Sequence, residues 1–292
     1  MLSSTTIASK QPILLRGEAL AKAVASISFP FSEIVQSQRS FLAAAWSLRR
    51  HGIICLRGAG SNQDLISIHD EILEFLENIQ LNNIQNLQEI AYLNLPNHRA
   101  IKGYHNFRDA DRAVINYRVK RPDGRTGSDA GMIDIFHPER LSCNLGKRIK
   151  NCLHEQLIER LLLFSSLNRL HVKCRNLYLN QGIQDTRGFH CDGRSLKFKS
   201  FVYISDVNKL DDGPYCYVKG SHRHRHLWRN NSKFNKENQL DHFEFSQLQA
   251  SEAISVFAKA GDMVISSQKG AHCGHPQHPE AKRAVLVNMY QR

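Results

Sequence analysis

The chain has 292 residues, 41% of them hydrophobic and 23% charged, the balance of a globular protein with a buried core, which excludes extensive disorder. Its longest apolar stretch, LIERLLLFSSL at 157–167, is interrupted by charge and falls short of the roughly 18 residues a bilayer-crossing helix needs, so no membrane span is expected. The formal net charge of +12 points to an anionic substrate or partner and says nothing of the fold.

At the N-terminus, MLSSTTIASKQPILLRG lacks acids but has no apolar secretory core, so no targeting segment is expected. The seven cysteines are odd in number, scattered and without CxxC spacing. They indicate neither a disulfide framework nor a zinc ribbon, and a reducing, cytoplasmic location is expected. This length suits one domain over 1–292.

In chain order, SQRSFLAAAWSLRRHG (37–52) has apolar residues at helical spacing and stops at Gly52; IICLRG follows as a short strand. Ser61 can cap a second helix, in which Leu65, Ile68, Ile72, Leu73 and Leu76 share a face. Residues 97–137 contain Gly103, Pro122, Gly124, Gly127 and Gly131 with several arginines, and are expected to form a lid loop or a broken pair of strands. PERL at 138 starts a return to helix up to about residue 167. Residues 1–168 thus form a mostly helical part.

From 169 to 292 the chain breaks into short β-type runs: HVKCRNLYLN, LKFKSFVYISDV, PYCYVKGS, AISVFAKA, DMVISS and AVLVNMY, separated by turn residues such as DDGP and AGD. Many short strands with Gly and Pro turns imply a sandwich, jelly roll or small barrel.

Within RGFHCDGRS, His190 and Asp192 flank one residue. On an extended backbone, i and i+2 point the same way, which makes a two-pronged chelate with Cys191 directed opposite. Two histidines and a carboxylate on one face of an octahedron is the arrangement of non-haem Fe(II) oxygenases. Among the downstream histidines, His272 is the choice for the third ligand, because it lies between the runs AGDMVISSQKG and KRAVLVNMY, at a strand end.

The order HCD, DDGPYCYVKGSHR, AGDMVISSQKGAHCG and KRAVLVNMY resembles the phytanoyl-CoA dioxygenase family of Fe(II)- and 2-oxoglutarate-dependent oxygenases, over about 170–290 and more weakly at HGIICLRG. The resemblance implies a mainly β fold with flanking helices, a double-stranded β-helix (cupin-like jelly roll) buttressed by the N-terminal helices. It implies Fe(II) on His190, Asp192 and His272, with 2-oxoglutarate as co-substrate and O2 as oxidant. Arg283, eleven residues after His272, corresponds to the arginine that binds the far carboxylate of 2-oxoglutarate, for which a planar guanidinium is suited. Asn180 and Thr186 are further candidates for contact with the co-substrate. Gly274 departs from members that carry a hydroxyl residue there. The carboxylate of Asp192 occupies the position that related halogenases leave small, which favours hydroxylation, desaturation or cyclisation of a small biosynthetic substrate over halogenation.

Other readings compete. HCGHPQH has a zinc-like composition, but Pro276 and Pro279 break the helix that would align His272, His275 and His278. SHRHRHLWRNNSKFNKEN (221–238), with Lys102, Arg108, Arg112, Arg118, Lys120, Arg121 and Arg125, gives two basic segments. Were they to flank the barrel mouth, an anionic or carrier-linked substrate would follow. A non-catalytic basic jelly roll that binds nucleic acid or a polyanion is the alternative function. The intact quartet of His190, Asp192, His272 and Arg283 opposes it, so nucleic acid is not expected as a partner. Cys191 and Cys273 read as buried small residues, and Trp46 and Trp228 as packing or pocket wall.

Overall fold

The computed structural model describes residues 12–78, 93–94, 97–103, 111–120, 127–237 and 251–292. Among these, the helices are α1 (Gly17–Ala25), α2 (Phe31–Gln36), α3 (Gln38–His51), α4 (Asn62–Asn78), α5 (Cys143–Leu153), α6 (Glu155–Ser166) and α7 (Leu227–Glu237). The strands are β1 (Ile13–Leu14), β2 (Ser28–Pro30), β3 (Ile53–Arg57), β4 (Leu93–Asn94), β5 (His98–Gly103), β6 (Ala113–Arg118), β7 (Ile133–Phe136) and β8 (His171–Gln181). They continue with β9 (Phe198–Tyr203), β10 (Tyr215–Tyr217), β11 (Glu252–Val256), β12 (Met263–Ser267), β13 (His272–Gly274) and β14 (Lys282–Gln291).

Two sheets form: a large one in the order β2-β3-β12-β9-β14-β8-β7-β6-β5-β4, and a small one in the order β1-β11-β10-β13. Sequence-distant strands become neighbours, as when β14 lies between β8 and β9. This is the jelly-roll core with helical buttress that the sequence implies.

Period-two alternation assigns each side chain to a layer. On β3, β9, β12 and β14, Ile54, Leu56, Val202, Met263, Ile265 and Leu286 face the helices, where they meet residues such as Leu48, Ile68 and Leu161. Their alternates Ile53, Cys55, Phe201, Tyr203, Val264, Val285 and Val287 face the small sheet's Tyr215, Tyr217, Ile254 and Val256. The space between the sheets that this second set lines is where the site lies.

The helix boundaries follow local chemistry. Ser37 caps α3 by accepting the Ser40 amide, and Gly52 ends it in the left-handed region at φ 75°. The run from PERL is broken rather than continuous. A short 3-10 turn spans Pro138–Arg140, Ser142 caps a fresh helix by accepting from the Leu145 amide, and His154 at φ 47° separates α5 from α6.

A lid loop over 97–137 is corrected by the structure: β5, β6 and β7 run through it and extend the large sheet. The reason is alternation in AVINYR and IDIF, whose inward and outward sets both find partners once β7 pairs antiparallel with β8 and β6 with β7. Glycine and arginine around residues 120–131 masked that signal. Arg108, Arg121 and Arg125 lie outside the described residues.

Candidate metal centre

Two backbone segments, 190–192 and 268–272, bring the ligand candidates together. His190 forms an antiparallel bridge with His272 at the start of β13, each donating its amide to the other's carbonyl at 3.0 and 2.9 Å. The Asp192 amide donates to the Gln268 carbonyl at 2.9 Å, which sets the carboxylate beside both rings. His190 Nε2 lies 3.5 Å and His272 Nε2 3.7 Å from Asp192 Oδ1. One ligand atom from each of the three residues falls within 4.8 Å of the others, and no other such group exists among the described residues.

The outer nitrogens determine what the inner ones can do. His190 Nδ1 sits 2.8 Å from the Gly188 carbonyl and His272 Nδ1 2.9 Å from the Gly270 carbonyl. A carbonyl only accepts, so each Nδ1 carries the proton, and in the neutral ring each Nε2 is left with a lone pair aimed at the carboxylate. Burial, reinforced by the His190 ring, pushes His272 down to about 3, so that ring is neutral near pH 7. Burial alone would raise the Asp192 carboxyl. The Lys199 ammonium, which donates to Oδ2 at 3.0 Å, and the two histidines together outweigh it and hold the carboxyl well below the ordinary range. Two imidazole lone pairs and an anionic oxygen therefore converge with no donor between them, an arrangement that a divalent cation satisfies.

A cavity of about 290 Å³, lined by Asp192 and His272, opens beside this trio between the sheets. Thr186 and Asn180 are on its wall, and so is Arg283, which faces Asn180 across the β8–β14 pair. Arg283 donates from Nη1 to the Gly213 carbonyl, while its Nε and the Asn180 Oδ1 are buried without a hydrogen-bond partner among the described residues. Burial lowers the Arg283 guanidinium from its ordinary value. A Cβ placed on Gly274 would have the Arg283 Nη2, at 3.9 Å, as its nearest neighbour, so the absent side chain leaves room beside the guanidinium. A buried, underpaired guanidinium next to open space is suited to a carboxylate. The donor set and this cradle fit Fe(II) and a small keto-diacid.

Several residues on this wall have no role in the sequence reading. Lys199 is one; its signal is the alternation in LKFKSFVY, which puts Lys197 and Lys199 on the same face as Phe201 and Tyr203. Gln268 and Tyr215 flank His272, the Tyr215 ring 5.7 Å from it, and Gln268 Nε2 donates to Ser266 Oγ at 2.9 Å. Farther along, Asp129 Oδ2 lies 3.4 Å from Arg118 Nη2 and 3.3 Å from Arg187 Nε. Asp134, buried and bonded to the Asn176 amide at 3.0 Å, is raised to about 6 by burial against the pull of Arg118. These residues are scattered along the chain from Arg118 to Gln268, and only the strand pairing assembles them.

His275 and His278 do not join the metal group, each engaging local backbone instead, so the zinc reading finds no cluster. The two basic segments do not share a mouth: Arg118 reaches the cavity, whereas the side chains of 222–229 line a separate groove. No helix among the described residues is long and apolar enough to cross a membrane.

No family model and no curated protein matches the chain. Among solved structures, the chain is similar to the epimerase SnoN, described in complex with Fe3+, alpha ketoglutarate and nogalamycin RO. The TM-score is 0.52 at 12% identity, covering 87% of this chain and 84% of that one. It is also similar to the non-heme alpha ketoglutarate dependent carbocyclase SnoK from nogalamycin biosynthesis, with TM-score 0.51 at 14% identity and coverages of 87% and 83%. At such identities the shared property is the fold.

Proposed function

We propose that the protein is an Fe(II)- and 2-oxoglutarate-dependent oxygenase acting on a small polar biosynthetic substrate. The observation that carries this reading is the convergence of the His190 and His272 lone pairs on the Asp192 carboxylate, with an underpaired Arg283 on the same cavity wall. Fe(II) bound with 2-oxoglutarate and O2 supplies an oxidant able to remove hydrogen from an unactivated C–H bond, with succinate and CO2 as co-products.

The chain's own residues prepare that chemistry. The carbonyls of Gly188 and Gly270 hold both imidazoles in the tautomer that presents Nε2. Lys199 keeps Asp192 ionised without competing for Oδ1, since it bonds to Oδ2. Arg283 anchors the far carboxylate of 2-oxoglutarate, and Asn180 and Thr186 add polar contacts beside it. Phe136, Val285, Val287 and Met289 form the apolar part of the wall, which excludes water and orients the substrate. Arg118, Arg187 and Lys197 exceed Asp129 and Asp134 in charge there, which supports a substrate with an anionic group or linked to an anionic carrier.

Hydrogen removal is common to hydroxylation, desaturation and ring closure, and the similarity to an epimerase and a carbocyclase adds stereochemical inversion to the outcomes. The test is succinate formation from 2-oxoglutarate in air, screened over candidate compounds, with product mass as the second readout. Turnover with a gain of one oxygen, a loss of two hydrogens or, for inversion, an isomer of unchanged mass is expected, and Asp192→Ala is expected to give none. Succinate formation unchanged in that variant contradicts the reading.

A further inference from the structure

Both tryptophans of the chain, Trp46 and Trp228, stand in cation-lined grooves on the exterior. Trp46, 65% exposed, shares one groove of about 470 Å³ with Arg49, Arg50 and Arg223. Trp228 lines a second, of about 860 Å³, with Arg194, Arg225, Arg229 and Lys269. Arg223 belongs to both, so the two grooves form one face. No acidic side chain lines either groove, and none of these guanidinium groups is paired with a carboxylate, among the described residues.

This face is separate from the metal cavity. Trp228 and Leu227 pack on Phe189, Cys191, Ala271 and Cys273, the positions that alternate with His190 and His272 and so lie on the opposite side of the small sheet. A ligand held here is therefore not the substrate at the metal.

The charge on this face is unbalanced. Burial pushes His51 and His222 down, and neighbouring cations push the same way: Lys219 and Arg50 on the first, Arg223 and Lys269 on the second. Arg229 occupies the first turn of α7, where the helix dipole disfavours a cation unless an anion offsets it. Arginine outnumbers lysine here, as suits forked recognition of phosphate oxygens. The Arg194 guanidinium lies over the Trp228 ring at 4.3 Å, a planar platform of the kind on which bases stack. Concave grooves disfavour a flat lipid surface, and an acidic peptide has no use for two indoles at intervals along a cationic track.

We propose that this face binds single-stranded nucleic acid, with phosphates along the arginine track and bases stacked on Trp46 and on the Arg194–Trp228 pair. Nucleic acid was not expected from the sequence, where both tryptophans read as packing or pocket wall; their placement beside arginines in the basic grooves is what points to it. The proposal is independent of the chemistry at the metal.

The experiment is fluorescence anisotropy of a labelled single-stranded oligonucleotide of mixed sequence, titrated with the full chain. Engagement of about four phosphates corresponds to about a 50-fold loss of affinity between about 50 and 200 mM salt. Trp46→Ala and Trp228→Ala are each expected to weaken binding about tenfold at constant salt, with the parent's unfolding midpoint retained in Trp46→Ala. The double variant Arg225→Ala/Arg229→Ala is expected to flatten the salt dependence, and it carries the test together with Trp46→Ala if Trp228→Ala does not fold. Failure to bind at about 50 mM salt overturns the proposal. So does equal affinity for polyglutamate or for phosphatidylserine vesicles, or indifference of the affinity to both tryptophan substitutions.

Discussion

The two faces of β9, β12 and β14 divide the work of the molecule. Toward the helices, Val202, Met263, Ile265 and Leu286 are fully buried among aliphatic side chains. Toward the small sheet, Lys199, Ser266 and Arg283 alternate with aromatic and aliphatic residues, and buried polar atoms are left without partners at Arg283 Nε, Asn180 Oδ1 and Gln268 Oε1. A one-residue step along a strand thus separates groups that stabilise the fold from groups that cost stability until a ligand arrives. Substitutions on the two faces should therefore separate stability from metal binding.

The largest effect falls on the inner face. Asp192→Ala removes the anionic ligand and leaves two imidazoles, and Fe(II) affinity measured anaerobically is expected to fall by more than about 100-fold. The unfolding midpoint of the metal-free variant should fall, since the part-buried Lys199 ammonium is left without its carboxylate partner. A metal affinity close to the parent's would break the comparison.

On the outer face only stability should change. Leu286→Ala is expected to cost about 2–5 kcal/mol in urea unfolding, through lost burial and a residual cavity. Its Fe(II) affinity, measured below the unfolding transition, should match the parent's. A large loss of affinity would show that the two layers are coupled.

The inner face also carries the pH dependence. His272 titrates at about 3 in the metal-free fold against 6.5 as its ordinary value. Because the folded pKa is depressed, the unfolded chain binds more protons between those values, so metal-free stability falls as pH drops from about 6.5 toward 3. Asp192, also depressed, adds a loss in the same direction as pH falls through the ordinary carboxylate range. His272→Gln should flatten the upper part of this limb in midpoints measured across pH, and an unchanged slope would remove His272 as its source.

The smallest effect belongs to the thiol between the ligands. Burial pushes Cys191 up to about 12 and its side chain faces away from the metal, so thiol reagents at neutral pH should leave it unmodified in the folded protein. Cys191→Ala should cost about 1 kcal/mol of stability and leave Fe(II) affinity unchanged. Rapid modification of Cys191 would mean that the outer face opens.

What was legible in the sequence follows the same division. The spacing of His190 and Asp192, the helix stop at Gly52 and the alternating runs of β8, β9, β12 and β14 are local signals, and the strands and bounds they imply are present. The lid segment was harder, because β5 to β7 are short and separated by Gly- and Arg-rich turns whose composition resembles a loop. Lys199, Gln268, Asp134 and Arg187 meet only when β14 inserts between β8 and β9, a pairing that no single window of sequence contains. The break of the 138–167 run at His154 coincides with a contact to a distant segment, His154 Nε2 lying 2.7 Å from the Ala59 carbonyl, which no local window shows.

The most direct measurement is the visible absorption of the protein titrated anaerobically with Fe(II) and 2-oxoglutarate, in the parent, Asp192→Ala and Arg283→Ala. The parent should develop the weak charge-transfer band of a chelated keto acid. Asp192→Ala should lose the band together with the metal, and Arg283→Ala should keep the metal but need far more 2-oxoglutarate. A band of equal intensity and equal 2-oxoglutarate demand in all of them would contradict a centre built from His190, Asp192 and His272 with Arg283 as its co-substrate anchor.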